Sequence, residues 1–219
     1  DLKRRCDYLN SLGPRRPKYR SSHGTDFSVG LIPEALFLAG AEDTLGSGIT
    51  YNPNIPSEEV FTSPMRGDAE GIVYSTRPLS YRGVMIENFS IRFEGGKVVE
   101  VHAEKNEDAL RTMVAMDEGA AMLGECALVP YDSPIRNSGI MFYNTLFDEN
   151  AACHLALGAG FTSCIRDYDK YSIEECRSMG INDSMIHEDF MIGSHDTDIT
   201  GITADGREVP IFRNGGWAF

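Results

Sequence analysis

Apolar residues near the start of the chain recur at helical spacing, at Leu2, Cys6, Leu9 and Leu12, which predicts a helix over residues 2 to 12. The basic, proline-containing run from Gly13 to Lys18 then reads as a connector that extends to about residue 24. Beyond it the period drops to two. Thr25 to Leu31, Glu59 to Thr62 and Gly71 to Ser75 each alternate as strands do. The clearest hairpin joins Ile91-Arg92-Phe93 to Val98 through His102, with Gly95 and Gly96 supplying the positive φ that a tight turn needs. A second joins Ile199–Ala204 to Arg207–Phe212 across Asp205-Gly206.

Helical patterns interrupt these strands. Asn106 is placed to cap a run through Leu110, Met113 and Val114 to Met122 and Leu123. Ser172-Ile173-Glu174-Glu175 has the form of a capping box that opens a short helix ended by Gly180. A third helix is predicted from Asn150 to Leu157, with His154 inside it. Strands and helices alternate without the rhythm of parallel βαβ units. The expected fold class is therefore α+β, with a mainly antiparallel sheet and a few helices.

Composition narrows the setting. With 219 residues, 42% of them hydrophobic and 24% charged, the chain has the material for a real core. A formal net charge of −13 argues against nucleic acid or an anionic membrane surface as partner, because either would be repelled. The same field suits metal ions and cationic ligands. Five cysteines in no C-x-x-C pair indicate neither a disulfide framework nor a thiolate zinc site, and fit a reducing cytoplasm. No run approaches the length of a membrane span, and the N-terminus lacks the order of a signal peptide. The opening at Asp1, at what reads as the end of a helix, points to a piece of a longer protein.

Chemistry concentrates in four segments. In Ile186-His187-Glu188-Asp189-Phe190-Met191, His187 and Asp189 project from one face of a strand, toward one cavity. Such a pair is half of a metal centre or an ordinary hydrogen-bonded pair. Glu125 lies in the apolar run Leu123 to Pro130, where an ionised carboxylate is costly unless paired or metal-bound. His154 has small and apolar neighbours, and Glu59 opens a strand after the turn Asn54 to Ser57. A buried histidine is equally a satisfied core residue, and a strand-end glutamate is usually solvated. Two imidazoles and three carboxylates nevertheless form a set that suits a pair of divalent ions.

These segments resemble a known family, the dinuclear metallo-aminopeptidases typified by aminopeptidase T, aminopeptidase S and PepS. The resemblance runs through Asn54–Thr62, Leu123–Pro130, Asn144–Ala151 with His154-Leu155-Ala156, and His187–Gly193. It implies two divalent ions, drawn from Zn, Co, Mn or Mg, on Glu59, Glu125, His154, His187 and Asp189, with Glu125 as the bridge. The site would lie between strands and a helix. Glu58 and Glu188 become candidates for supporting or proton-carrying roles. The resemblance further implies a cytoplasmic, dimeric exopeptidase acting on peptides with a free amino terminus. The chain would be the carboxyl-terminal catalytic domain of two, with residues 1–24 leading in from an absent amino-terminal α/β domain.

One position departs from the family pattern. Phe161 stands where the family has a tyrosine, so no catalytic residue is assigned there, and Tyr143 or Tyr168 would have to replace its hydroxyl. The alternative to an active enzyme is a metal-binding, catalytically impaired domain used for dimerisation or binding. A β-rich domain without metal is a third reading. Cys153 beside His154 is discounted as a nucleophile, because adjacent helical residues point about 100° apart. Ser194-His195-Asp196 names the residues of a catalytic triad, but as loop neighbours they are expected only to line the site entrance.

Overall fold

The computed structural model describes residues 1–219. Helix α1 (Leu2–Leu12) leads into β1 (Pro14–Arg20) and β2 (Asp26–Leu31). A small ribbon follows, β3 (Glu42–Asp43) and β4 (Thr50–Tyr51), and then β5 (Val60–Thr62) and β6 (Pro64–Tyr74). Next come β7 (Leu79–Tyr81), β8 (Val84–Glu94), β9 (Lys97–Lys105) and helix α2 (Glu107–Val114). Strand β10 (Leu123–Leu128), two single-turn helices α3 (Pro134–Asn137) and α4 (Thr145–Asp148), and β11 (His154–Gly158) form the centre of the second half. The chain ends with α5 (Ile173–Met179), β12 (His187–Met191), β13 (Asp198–Thr203), β14 (Glu208–Arg213) and β15 (Gly216–Trp217).

Two antiparallel sheets carry the fold, which is α+β as expected. The large sheet runs β15-β14-β13-β1-β2-β6-β8-β7, with β9 also paired to β8. The small one runs β12-β11-β10-β5. One hydrophobic cluster joins them, with Phe27, Val29, Ile91 and Phe93 from the large sheet and Val60, Leu128, Leu155 and Phe190 from the small one. Both hairpins form. Gly95 and Gly96 make a two-residue turn between β8 and β9 at φ 55° and 78°, and Gly206 takes φ 83° between β13 and β14. The Ser172–Glu175 capping box is present and α5 stops at Gly180.

Three expectations are corrected. Residues 14–20 are not a connector but β1, between β13 and β2 in the large sheet. The prolines concealed it. They are tolerated because β2 pairs only with Lys18, Tyr19 and Arg20, which leaves Pro14 and Pro17 without a partner on that side. The helix opened at Asn106 ends at Val114 and does not reach Leu123, which begins β10. Asp117 ends the pattern by accepting bonds from the Ala120 and Met185 amides and the Ser184 hydroxyl, turning the chain toward the small sheet. The predicted helix over 150–157 is the single turn Glu149–Ala151 followed by strand β11. His154–Gly158 is buried on both faces, so its apolar run carries no period to separate helix from strand.

Candidate metal centre

Sheet register places the five predicted residues on one face. Across the small sheet Glu125, Ala156 and Asp189 lie in one row, and directly paired residues share a face. His154 is two residues from Ala156 and His187 two from Asp189, so both point the same way. Ala127 pairs with His154 and with Phe61, which puts Glu59, two residues before Phe61, on that face as well. The other face carries Cys126, Leu128, Leu155, Leu157 and Phe190 into the core. A bulge between Leu123 and Glu125 makes this possible. Without it Leu123 and Glu125 would share a face, whereas here Leu123 enters the core and Glu125 faces the site. Gly124 fits the bulge because a Cβ there would meet the Ala159 carbonyl at 2.1 Å.

The side chains form three overlapping groups: Glu59, Glu125 and His154; Glu125, His187 and Asp189; and Glu149, His154 and Asp189. In each, one ligand atom per residue lies within 4.8 Å of the others. Glu149 was not foreseen as a candidate. It stands on the turn after α4 and is buried, and the only sequence signal was a charge just ahead of an apolar run. Asn150 ties this turn to the strand that brings in Glu59: its Oδ1 accepts from the Glu58 amide at 2.7 Å and its Nδ2 donates to the Leu146 carbonyl at 2.9 Å. A cavity of about 700 Å³ opens over the cluster, with Phe61 and Phe161 on its wall.

Both imidazoles are oriented by backbone. His187 Nδ1 is 2.7 Å from the Ala159 carbonyl and His154 Nδ1 is 3.1 Å from that of Ala152. A carbonyl only accepts, so each Nδ1 carries the proton and each Nε2 is turned toward carboxylates. His187 Nε2 lies 3.1 Å from Glu125 Oε2 and 3.5 Å from Asp189 Oδ1. His154 Nε2 lies 3.1 Å from Glu59 Oε2, yet the contact lacks hydrogen-bond geometry. These two atoms and Asp189 Oδ1 are buried with no hydrogen-bond partner. Converging, unpartnered acceptors of this kind fit a cation held in common.

Electrostatics point the same way. Burial lowers the affinity of His154 for a proton, but Glu59, Asp189 and Glu125 outweigh it and raise its pKa to about 10. For His187 the same contest, against Asp189 and Glu125, ends at about 11. Burial pushes Glu149 up to about 9, with Asp189, Glu59 and Glu125 adding to it against His154. Glu125 rises to about 7, chiefly through burial. Burial opposes ionisation of Asp189 too, but the two imidazoles close by, His187 first and then His154, hold its pKa below the usual value. The site demands positive charge, as protons or as metal.

The other sequence candidates are not brought in. Glu188 pairs with Leu157, on the face opposite the cluster, and neither it nor Glu58 lines the cavity. Tyr143 and Tyr168 do not line it either. The Phe161 ring instead packs 4.8 Å from that of His187, centroid to centroid. Cys153 immediately precedes β11 and its thiol donates to the Val129 carbonyl, so the discounting of a Cys-His pair stands on strand geometry, not helix geometry. Ser194 Oγ donates to Asp196 at 2.6 Å, and Ser194 and His195 line a separate cavity rather than the entrance to this one.

Fold and site together define a class: an α+β domain whose small sheet presents imidazoles and carboxylates to a single cavity. The chain belongs to the thermophilic metalloprotease (M29) family, whose model matches residues 1–217. It is 50% identical over 219 residues to aminopeptidase AmpS of Bacillus subtilis, covering 100% of this chain and 53% of that protein. It is 48% identical over 194 residues to aminopeptidase T of Thermus aquaticus, covering 89% and 47%. The solved structure of wild-type AmpT from Thermus thermophilus superposes with a TM-score of 0.91 at 42% identity, over 99% of this chain and 53% of that one. A 2,5-dihydroxypyridine dioxygenase from Pseudomonas putida KT2440 shares the fold alone, with a TM-score of 0.66 at 17% identity. The chain thus spans about half the length of the curated relatives it matches. No helix is long and apolar enough to cross a membrane.

Proposed function

We propose that this chain is the metal-binding, catalytic part of an aminopeptidase, holding two divalent ions on Glu59, Glu125, His154, His187 and Asp189. The observation that carries the reading is the set of unpartnered buried atoms, Glu59 Oε2, His154 Nε2 and Asp189 Oδ1, converging under one cavity. Glu125, Asp189 and His154 each belong to two of the three groups; of these only the two carboxylates have a second oxygen to bridge with, and Glu125 is proposed for that role. Glu149 joins the set as a ligand or as a group that keeps a proton near neutral pH. Bound divalent ions of the Zn, Co, Mn or Mg kind supply Lewis acidity, which polarises a carbonyl and readies water for attack.

The chain's own residues do the rest. The Ala159 and Ala152 carbonyls hold each imidazole with Nε2 toward the carboxylates. The acidic cavity attracts the ammonium group of a peptide with a free amino terminus, and Phe61 and Phe161 offer apolar surface to its side chain. We further propose that the chain is the carboxyl-terminal half of a two-domain, cytoplasmic, homodimeric protein; its coverage of about half of each relative supports the two-domain part. The test is hydrolysis of leucine and arginine p-nitroanilides by metal-reconstituted full-length protein beside its Glu125→Ala variant. Activity in the parent and none in the variant supports the reading. Equal activity in both overturns it.

A second reading, a metal-binding domain with impaired catalysis, is favoured by Phe161. That residue lines the cavity beside His187 and brings no hydroxyl to it.

A further inference from the structure

A second cavity of about 320 Å³ lies on the other side of the turn that carries Glu149. Its wall includes Arg77, Arg136, His23 and His195, together with Thr76 and Ser194. No carboxylate lines it, in a chain whose Asp and Glu number 33 against 20 Lys and Arg. Nε of Arg77 and Oγ1 of Thr76 are buried and make no hydrogen bond. The Arg77 Nη2 edge is occupied, donating to the Ile140 carbonyl at 3.2 Å. Asp148 Oδ1 stands 4.0 Å from it, behind the cavity wall. Asp148 is the carboxylate paired with Arg77, and Arg136 has none within 4.0 Å. Asp196, the acid next to His195, does not line the cavity; it accepts from Ser22 N and from the Oγ of Ser194, which does.

We propose that this cavity is a binding site for a small oxyanion, a phosphate or a carboxylate, gripped by Arg77 and Arg136 with Thr76 as a third donor. A half-buried guanidinium with an idle N–H, as Arg77 has at Nε, is the side chain best shaped for a two-oxygen anion. Arg136 is held over the Tyr131 ring with 3.5 Å between guanidinium carbon and centroid, its Nη2 donating to the Tyr131 hydroxyl and its other N–H groups left for the anion. Thr76 is fixed by its own backbone, whose N–H donates to the Met191 carbonyl at 2.9 Å. A lone water would satisfy Thr76, but it neutralises neither arginine, and the space is several times what one water fills. The site is separate from the metal centre, although one short segment serves both, with Glu149 lining the first cavity and Ala151 and Ala152 the second.

The test titrates inorganic phosphate, and separately acetate, into metal-loaded full-length protein by calorimetry, with chloride as the ionic-strength control. Arg77→Met strips Asp148 of its cation and threatens folding, so Arg136→Met and Thr76→Val are the variants used, each checked by circular dichroism. Saturable phosphate binding that weakens at least 10-fold in Arg136→Met and about 3-fold in Thr76→Val supports the site. Tighter binding of acetate than of phosphate, with the same dependence on Arg136, supports it too and identifies the ligand as a carboxylate. Absence of saturable binding by either anion overturns it. So does binding that survives in both variants and disappears in Glu125→Ala, which places the anion at the metal centre.

Discussion

Oε2 of Glu59 and Nε2 of His154 stand 3.1 Å apart beneath the cavity, both buried, and neither makes a hydrogen bond. They come from either side of β10 in the small sheet: Glu59 just ahead of β5, His154 at the first residue of β11, joined through Ala127 of β10 between them. An acceptor and an imidazole nitrogen brought together without hydrogen-bond geometry are costly unless positive charge, a proton or a metal ion, is shared between them. That cost is the physical link between this fold and metal chemistry.

Phe161→Tyr restores a hydroxyl at the cavity wall. If the machinery is otherwise intact, kcat for a p-nitroanilide rises by about 10²-fold to 10³-fold, the scale of one donor aimed at developing negative charge. Steady-state kinetics on metal-loaded protein check it. An unchanged kcat would show that the ring position has no part in turnover.

Asn150→Ala cuts the tie between the turn bearing Glu149 and the loop leading to Glu59, and leaves the Glu58 amide without its acceptor. Stability falls by about 1–3 kcal/mol, the cost of an unsatisfied buried group. Metal affinity falls by roughly 10-fold to 100-fold, as for other residues that orient ligands. Urea denaturation and metal titration separate the two effects. Loss of stability with unaltered affinity would remove Asn150 from the positioning of Glu59.

The four upward pKa shifts have one sign. His154 and His187 rise from 6.5 to about 10 and 11, and Glu125 and Glu149 from 4.5 to about 7 and 9. In each case the folded, metal-free protein binds the proton more tightly than the unfolded chain. The associated stability is therefore present at low pH and is lost as pH rises through the folded values. The downward shift of Asp189 acts below its ordinary 3.8 and does not oppose this. Chelator-treated protein is expected to lose melting temperature between pH 6 and pH 9, while the metal-loaded protein loses less. Parallel pH profiles with and without metal would contradict the assignment.

The five residues named from sequence are brought together, and the reason is instructive. His187 and Asp189 were legible because two polar residues two apart in an apolar run share a face once that run is a strand. Glu125 was legible as a charge in an apolar run, but the bulge that turns it into the cavity was not, since it depends on pairing with β11. His154 was found while its element was misread, because a strand buried on both faces has no period to read. Strand β1 was hidden by prolines that its one-sided pairing tolerates. Glu149 and the arginine-lined cavity were invisible to spacing of any kind; each is assembled from segments distant in sequence.

The decisive measurement is the number of divalent ions held per chain, by equilibrium dialysis with elemental analysis on the parent protein and on Glu125→Ala. Two ions in the parent and none retained in the variant, with circular dichroism unchanged, are expected of a dinuclear centre bridged by Glu125. A parent that binds no ion, or a variant that keeps both, would rule that centre out.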